Sequence, residues 1–248
     1  MSIVEQLYTA YSANEPLALG ALDIASIEQA YSIQNAVMKM KEENGEVLMG
    51  YKVSLTSQET QDLFNSSSPL YGVMTDRTVK KEINLSDFNM PLLEMELVFL
   101  IDEEITAEDT AVQIMEKCRV APGAEVPDAR YKNWFPNTAL VEIIADGAVN
   151  GAVIYGEAKR YDYDDLDNIK GTLSHDGTIL KEGRSTEVLG HPAKAIEWLA
   201  GTLAEEGKVL KPGLFVSSGT FNLPIALEPG TYEIQYENVG TVTFEVNA

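Results

Sequence analysis

Apolar side chains at Ile27, Ala30, Tyr31, Val37 and Met38 recur at near-helical intervals behind Ser26-Ile-Glu-Gln29, which has the spacing of a capping box. The pattern predicts a helix over about 26–43, with Gly45 as its stop. A short strand is expected over 47–55, and then a polar segment, 57–69, that holds a short helix and a loop. From about residue 90 the apolar positions crowd together. Strand-like runs fall at 94–101, 119–126, 139–144 and 151–157, and 107–118 reads as a helix between two of them. Asp176-Gly177, between 171–175 and 178–180, is a strong hairpin signal. Residues 191–206 form a second amphipathic helix with Ile196, Leu199, Ala200 and Leu203 on one side. The C-terminus alternates: Tyr232, Ile234 and Tyr236, a turn at 238–240, then Val242, Phe244 and Val246. These elements predict an α+β chain. A helical N-terminal segment, 1–85, packs on a β-rich body, 86–248, and no change of composition marks a linker between them.

Composition narrows the partners. The 18 Lys+Arg against 39 Asp+Glu give a net charge of −21. Nucleic acids and anionic membrane surfaces are held by clustered Lys and Arg, and no such cluster occurs here. A small anionic ligand would therefore need a local source of positive charge, either a metal ion or a placed lysine. The longest apolar run, Leu97 to Ile101, is five residues, far short of the roughly 20 that span a bilayer. Residues 1–15 carry neither a basic stretch nor a long apolar one, so no secretory signal is expected. Cys118 is the only cysteine, which excludes an intrachain disulfide and fits the reducing cytoplasm.

The segment 91-PLLEMELVFL-100 holds the first candidate chemistry. On a strand, residues two apart share a face, so Glu94 and Glu96 project side by side, about 7 Å apart at their Cα atoms. Leu93, Met95, Leu97 and Phe99 make the opposite, core face. Taken alone, the two glutamates fit the wet side of an edge strand. Val98 and Leu100 continue that same side with apolar groups, however, and two carboxylates entering a buried face repel unless a cation lies between them. With two histidines and one cysteine in the chain, a nitrogen–sulfur zinc site is poorly supplied. Oxygen ligands suit Mg²⁺ or Mn²⁺. Glu125, in 121-APGAEVPDAR-130, is the candidate third carboxylate and Asp128 its substitute. His175 and His191 read as structural, beside a hairpin turn and at a helix start.

Two further stretches are candidates. Lys52, in 50-GYKVSLTS-57, is either a strand-edge lysine or, in a low-dielectric pocket, a proton-transferring group of lowered pKa. In 216-VSSGTFNLP-224 the small residues around Gly219 allow backbone and Ser218 to approach a ligand carboxylate, or form a plain loop.

In order along the chain, GYKVSLTS, the Tyr71–Gly72 pair, LLEMEL, APGAEVPDARYKNW, VIYG, GHPAKAIEWLAGTL and VSSGT resemble the 2-keto-4-pentenoate hydratase and 4-oxalocrotonate decarboxylase branch of the fumarylacetoacetate hydrolase superfamily. The resemblance runs from the helix near residue 26 to the terminal strands. It implies a mixed β-roll, usually assembled as a homo-oligomer, and Mg²⁺ or Mn²⁺ held by Glu94, Glu96 and Glu125. A small anionic 2-oxo acid would chelate the ion, Lys52 would move the proton, and Ser57, Leu70, Ser218 and Gly219 would surround the substrate. A Lewis acid on a 2-oxo acid stabilises an enolate, which leads to water addition across a conjugated double bond or follows loss of carbon dioxide. Leu70 stands where hydratases of the branch usually carry Asp and decarboxylases an apolar residue. The segments 217–224 and 145–151 also depart from the family pattern. The expectation is therefore a metal-dependent hydratase of a small unsaturated 2-oxo acid, with a decarboxylase as the alternative. A binding protein that kept the fold without turnover is the alternative of another class, and a plain acidic structural protein a third.

Overall fold

A computed structural model describes residues 1–248. In chain order its elements are α1 (Ile3–Ala13), α2 (Ile27–Glu43), β1 (Leu48–Ser54), α3 (Gln58–Leu63), β2 (Leu70–Thr75), β3 (Ile83–Asn84), β4 (Leu92–Ile101), α4 (Ala111–Lys117) and β5 (Cys118–Pro127). Then follow α5 (Leu140–Ala145), β6 (Asn150–Tyr155), β7 (Lys170–His175), β8 (Thr178–Arg184), α6 (Pro192–Glu205), β9 (Phe215–Thr220), β10 (Ile225–Ala226), β11 (Gly230–Tyr236) and β12 (Gly240–Asn247). None of the helices is long and apolar enough to cross a membrane.

The strands form two sheets. The larger has the order β2-β1-β9-β4-β5-β6, with β10 pairing to β4, and only β1 and β9 run parallel within it. The smaller has the order β3-β12-β11-β7-β8. Met95, Leu97 and Phe99 on one face of β4 share a core with Tyr232, Ile234, Val242 and Phe244 of the small sheet and with Ile196, Leu199 and Leu203 of α6. The opposite face of β4 turns inward. Val98 packs there with Met74 of β2, Val153 of β6 and Phe215 of β9, so the two edges of the large sheet approach each other and the sheet curls around that face. A second apolar cluster joins α1, α2 and α5 to Leu55, Leu70, Tyr131 and Trp134. The N-terminal third is not helical throughout: it supplies β1 and β2 to the curled sheet.

Several sequence expectations coincide with elements. Ser26 caps α2 by accepting from the Gln29 N–H at 3.2 Å. Asp176 and Gly177 both have positive φ, 48° and 78°, as a tight turn between β7 and β8 requires. The helix expected over 107–118 is shorter and starts at Ala111, after a reciprocal Thr110–Gln113 cap. One expectation fails outright. Residues 139–144, read as a strand, are helix α5. The run is too short for periodicity to decide. Leu140, Ile143 and Ile144 sit at i, i+3 and i+4 and dress one helical face, and Gly147 follows at φ 68°. Asp146, just past the helix, pairs with Arg130 in the interior and ties α5 to the chain leaving β5.

Candidate active site

Strand register brings the acids together. Glu94 of β4 lies directly opposite Glu125 of β5, and Glu96 lies two residues on along the same face of β4. One carboxylate oxygen from each of Glu94, Glu96 and Glu125 lies within 4.8 Å of the others. Glu96 and Glu125 are buried at 1% and 0% exposure, while Glu94 is half-buried and, with Glu96 and Lys52, lines a cavity. Lys52, itself 1% exposed, reaches over from β1 and donates to Glu125 Oε2 at 2.7 Å. On a flat sheet, strands three positions apart would be about 14 Å apart. The inward curl is what makes that bond attainable.

A bulge on β9 completes the arrangement. Between β4 and β9 the register runs Glu96↔Thr220 and then Val98↔Ser217, so β9 carries one extra residue. The bulge turns two donors onto the same oxygen: Ser217 Oγ donates to Glu96 Oε2 at 2.5 Å, and the Gly219 N–H donates to it at 3.0 Å. Tyr236 of β11 fixes the adjoining backbone by donating to the carbonyls of Glu96 and Gly123 at 3.0 and 2.7 Å. Gly219 adopts φ +112°, and a Cβ there would lie 2.4 Å from Thr56 Oγ1. Gly219→Ala is therefore expected to cost about 1–3 kcal/mol in urea unfolding and to lower activity by loosening Glu96. Unchanged stability would show that the bulge relaxes freely.

Burial dominates the titration of the cluster. It pushes Glu94 well above the usual carboxylate range, with the Glu125 carboxylate adding to the effect. It raises Glu96 to about 8, again with Glu125, while Lys52, Ser217 and Gly219 pull the other way. Glu125 is raised by burial against the opposing pull of Lys52. For Lys52, burial alone lowers the pKa, but Glu125, Glu94 and Glu96 outweigh it and the net shift is upward. That reverses the lowering expected from a low-dielectric pocket alone. With all three glutamates ionised the cluster would carry more negative charge than its one lysine balances, which is why burial together with the neighbouring carboxylates holds protons on Glu94 and Glu96. Glu125 Oε1 is buried and accepts from no backbone or lysine donor, and a hydrogen bond between the Glu94 and Glu125 carboxyls requires Glu94 to keep a proton. A carboxylate oxygen left without such a donor beside two further carboxylates is the signature of a place for a cation, and an all-oxygen donor set fits Mg²⁺ or Mn²⁺.

The other expected site residues are distributed differently. Ser218 is fully buried and its Oγ has no partner. Gly219 spends its N–H on Glu96, so this donor is not free for a ligand. Ser57 caps α3 by accepting from the Thr60 N–H and lines a neighbouring cleft instead of the main cavity. Leu70 is 2% exposed within the N-terminal apolar cluster and does not line the cavity. Its position at the start of β2 packs it against the helices. Asp128, the substitute ligand, accepts from the backbone N–H groups of Asn89 and Met90 at 2.9 and 2.8 Å and holds that loop. His191 caps α6 and His175 stacks on Tyr232, both structural roles. Sequence reasoning passed over Ser217, because regular alternation on β9 does not reveal the bulge. It also passed over the cavity wall of Phe64, Trp134, Phe135 and Leu223, of which only the adjacent aromatics at 134 and 135, within a polar loop, are visible as a signal.

No family model matches the chain. It is 29% identical over 254 residues to the 2-oxo-hept-4-ene-1,7-dioate hydratase of Escherichia coli, covering 97% of this chain and 95% of that one. It is 30% identical over 220 residues to a 2-keto-4-pentenoate hydratase of Paraburkholderia phymatum, covering 86% and 83%. The fold superposes on the 4-oxalocrotonate decarboxylase of Pseudomonas putida G7, solved with magnesium and adipate, with a TM-score of 0.89 at 23% identity over 98% of this chain and 95% of that one. With identity at this level sustained over nearly all of both chains, the protein belongs to the family of 2-keto-4-pentenoate hydratases and 4-oxalocrotonate decarboxylases.

Proposed function

We propose that the protein is a divalent-metal-dependent hydratase that adds water to a small unsaturated 2-oxo acid. The observation that carries this reading is the Glu94–Glu96–Glu125 cluster, with Lys52 bonded to it, on the wall of a cavity. In this reading the three glutamates hold Mg²⁺ or Mn²⁺. The ion, when bound, supplies Lewis acidity toward the carboxylate and keto oxygens of the acid.

The chain's own groups do the rest. Ser217 and Gly219 hold Glu96 Oε2 and leave its other oxygen for the cavity. Lys52 is the cation that lines the cavity and is the proton carrier. For a 2-hydroxypenta-2,4-dienoate, the 2-hydroxyl proton leaves as a proton is gained at C5. Water then adds with its oxygen at C4 and its proton at C3, giving a saturated 4-hydroxy-2-oxo acid. The apolar wall around the tail shields the conjugated system from bulk water.

The test supplies 2-hydroxypenta-2,4-dienoate, or an oxalocrotonate-type diacid, with Mg²⁺ or Mn²⁺. Loss of diene absorbance with a hydrated product and no carbon dioxide is the expected result. Release of carbon dioxide from the diacid alone would move the assignment to decarboxylation. Metal-dependent binding of a 2-oxo acid without consumption of either compound would make the protein a non-catalytic binder.

A further inference from the structure

The far end of the cavity decides what kind of 2-oxo acid fits, given that the site handles 2-oxo acids as proposed above. Lys52 is the only cationic side chain lining the cavity, and Glu125 already engages it. Away from the glutamates the wall is Leu55, Leu63, Phe64, Trp134, Phe135 and Leu223. The aromatic rings brace one another, with centroids 6.2 Å apart for Phe64–Phe135 and 5.5 Å for Trp134–Phe135. Of the polar side chains on this cavity beyond Lys52 and the glutamates, Ser54 alone keeps an unpartnered hydroxyl. The Trp134 indole N–H donates to the Met90 carbonyl at 2.9 Å. Thr60 and Thr220 donate their hydroxyls to the Ser57 and Asn222 carbonyls at 3.0 and 2.7 Å.

A carboxylate pushed against this wall would lose its water and gain at most the one neutral hydroxyl of Ser54, a costly exchange for a ligand charge. The adjoining cleft meets the cavity at Thr220 and Leu223 and sets Lys181 and Arg184 among Glu59, Glu182 and Glu187. Glu182 is taken by Lys170 at 2.6 Å and Arg184 is turned to the Asn168 carbonyl at 2.9 Å, so exposed Lys181 is the one base there without such a partner. A second carboxylate gains a cation only by leaving the wall for that cleft. A short apolar tail, by contrast, trades water for aliphatic and aromatic contact.

We propose that the wall of Leu63, Phe64, Trp134, Phe135 and Leu223 selects unsaturated 2-oxo acids with a single carboxylate and a short apolar tail, and disfavours those with a second carboxylate at the far end. This separates the chain from its E. coli relative, whose name specifies a dioate.

The test uses the full chain with Mg²⁺. Calorimetry compares 2-oxopentanoate with 2-oxoadipate, saturated acids that cannot be hydrated. Steady-state kinetics compares 2-hydroxypenta-2,4-dienoate with 2-oxohept-4-ene-1,7-dioate. The monoacid is expected to be favoured at least about tenfold in both. Leu63 is 40% exposed, so Leu63→Arg is compatible with folding. It brings a guanidinium to the wall and is expected to erase most of that preference by improving the diacid, and Leu223→Arg is expected to do the same. A wild-type protein that treats the two classes equally, or prefers the diacid, overturns the proposal while leaving the hydratase reading intact. A monoacid preference that neither arginine variant alters overturns the assignment to this wall. If no 2-oxo acid binds or reacts, the hydratase reading fails first and the selectivity falls with it.

Discussion

Lys52→Met is expected to cost about 3–5 kcal/mol of stability in the metal-free protein and to lower kcat/KM by at least about a thousandfold. The first effect follows from burial. Lys52 and Glu125 are 1% and 0% exposed and bonded at 2.7 Å, and methionine leaves the carboxylate cluster without its only counter-charge. The second follows from the loss of the proton carrier. Urea unfolding and steady-state turnover measure the two separately. A second variant isolates the ion pair: Lys52→Met with Glu125→Gln removes both charges and is expected to recover most of the lost stability but none of the activity. A Lys52→Met protein as stable as wild type would mean that the cluster discharges itself by protonation at no cost. Activity retained in that variant would remove Lys52 from the chemistry.

Glu96→Gln is expected to lower Mn²⁺ affinity by at least about 100-fold, since partners one shell further out already cost 10–100-fold, and to reduce turnover in proportion to the metal lost. The geometry explains why an isosteric change suffices. Glu96 Oε2 accepts from both Ser217 Oγ and the Gly219 N–H, so a glutamine would place its carbonyl oxygen there. Its NH₂ group would then point into the cavity, where a cation is meant to sit and where a donor cannot ligate. Thermal stabilisation by Mn²⁺ in wild type and its absence in the variant is the readout. An equal response in both would exclude Glu96 as a ligand. Saturating Mn²⁺ is expected to rescue part of the activity, which distinguishes weakened metal binding from a misfolded site.

Much of this was legible in the chain because β4 obeys the simplest rule of strands. Alternation placed Glu94 and Glu96 on one face and Leu93, Met95, Leu97 and Phe99 on the other, and Val98 and Leu100 following the glutamates marked their face as interior. The structure buries the Leu93 face completely and the other at Glu96 and Val98, with Glu94 and Leu100 half-buried, and the pairing of Glu94 with Glu125 is the antiparallel register that a third acid on the next strand allows. Three things were not legible. A one-residue bulge in β9 shifts which small residue meets Glu96, and Ser217 and Ser218 look alike until the register is known. The six residues of α5 carry too few turns for period 3.6 to be told from a buried strand. The pKa of Lys52 depends on a balance of burial and three nearby carboxylates, which sequence proximity does not reveal because Lys52 and Glu125 meet only through the curl of the sheet. Leu70, placed beside the substrate by resemblance, has its side chain in the N-terminal apolar cluster and not on the cavity wall.

Whether three carboxylates grip one divalent ion is decided most directly by crystals grown with Mn²⁺ and data collected at the manganese absorption edge. A single strong anomalous peak bonded to oxygens of Glu94, Glu96 and Glu125, beside Lys52, is the expected result. A peak elsewhere, or an occupied metal touching none of the three, would contradict it.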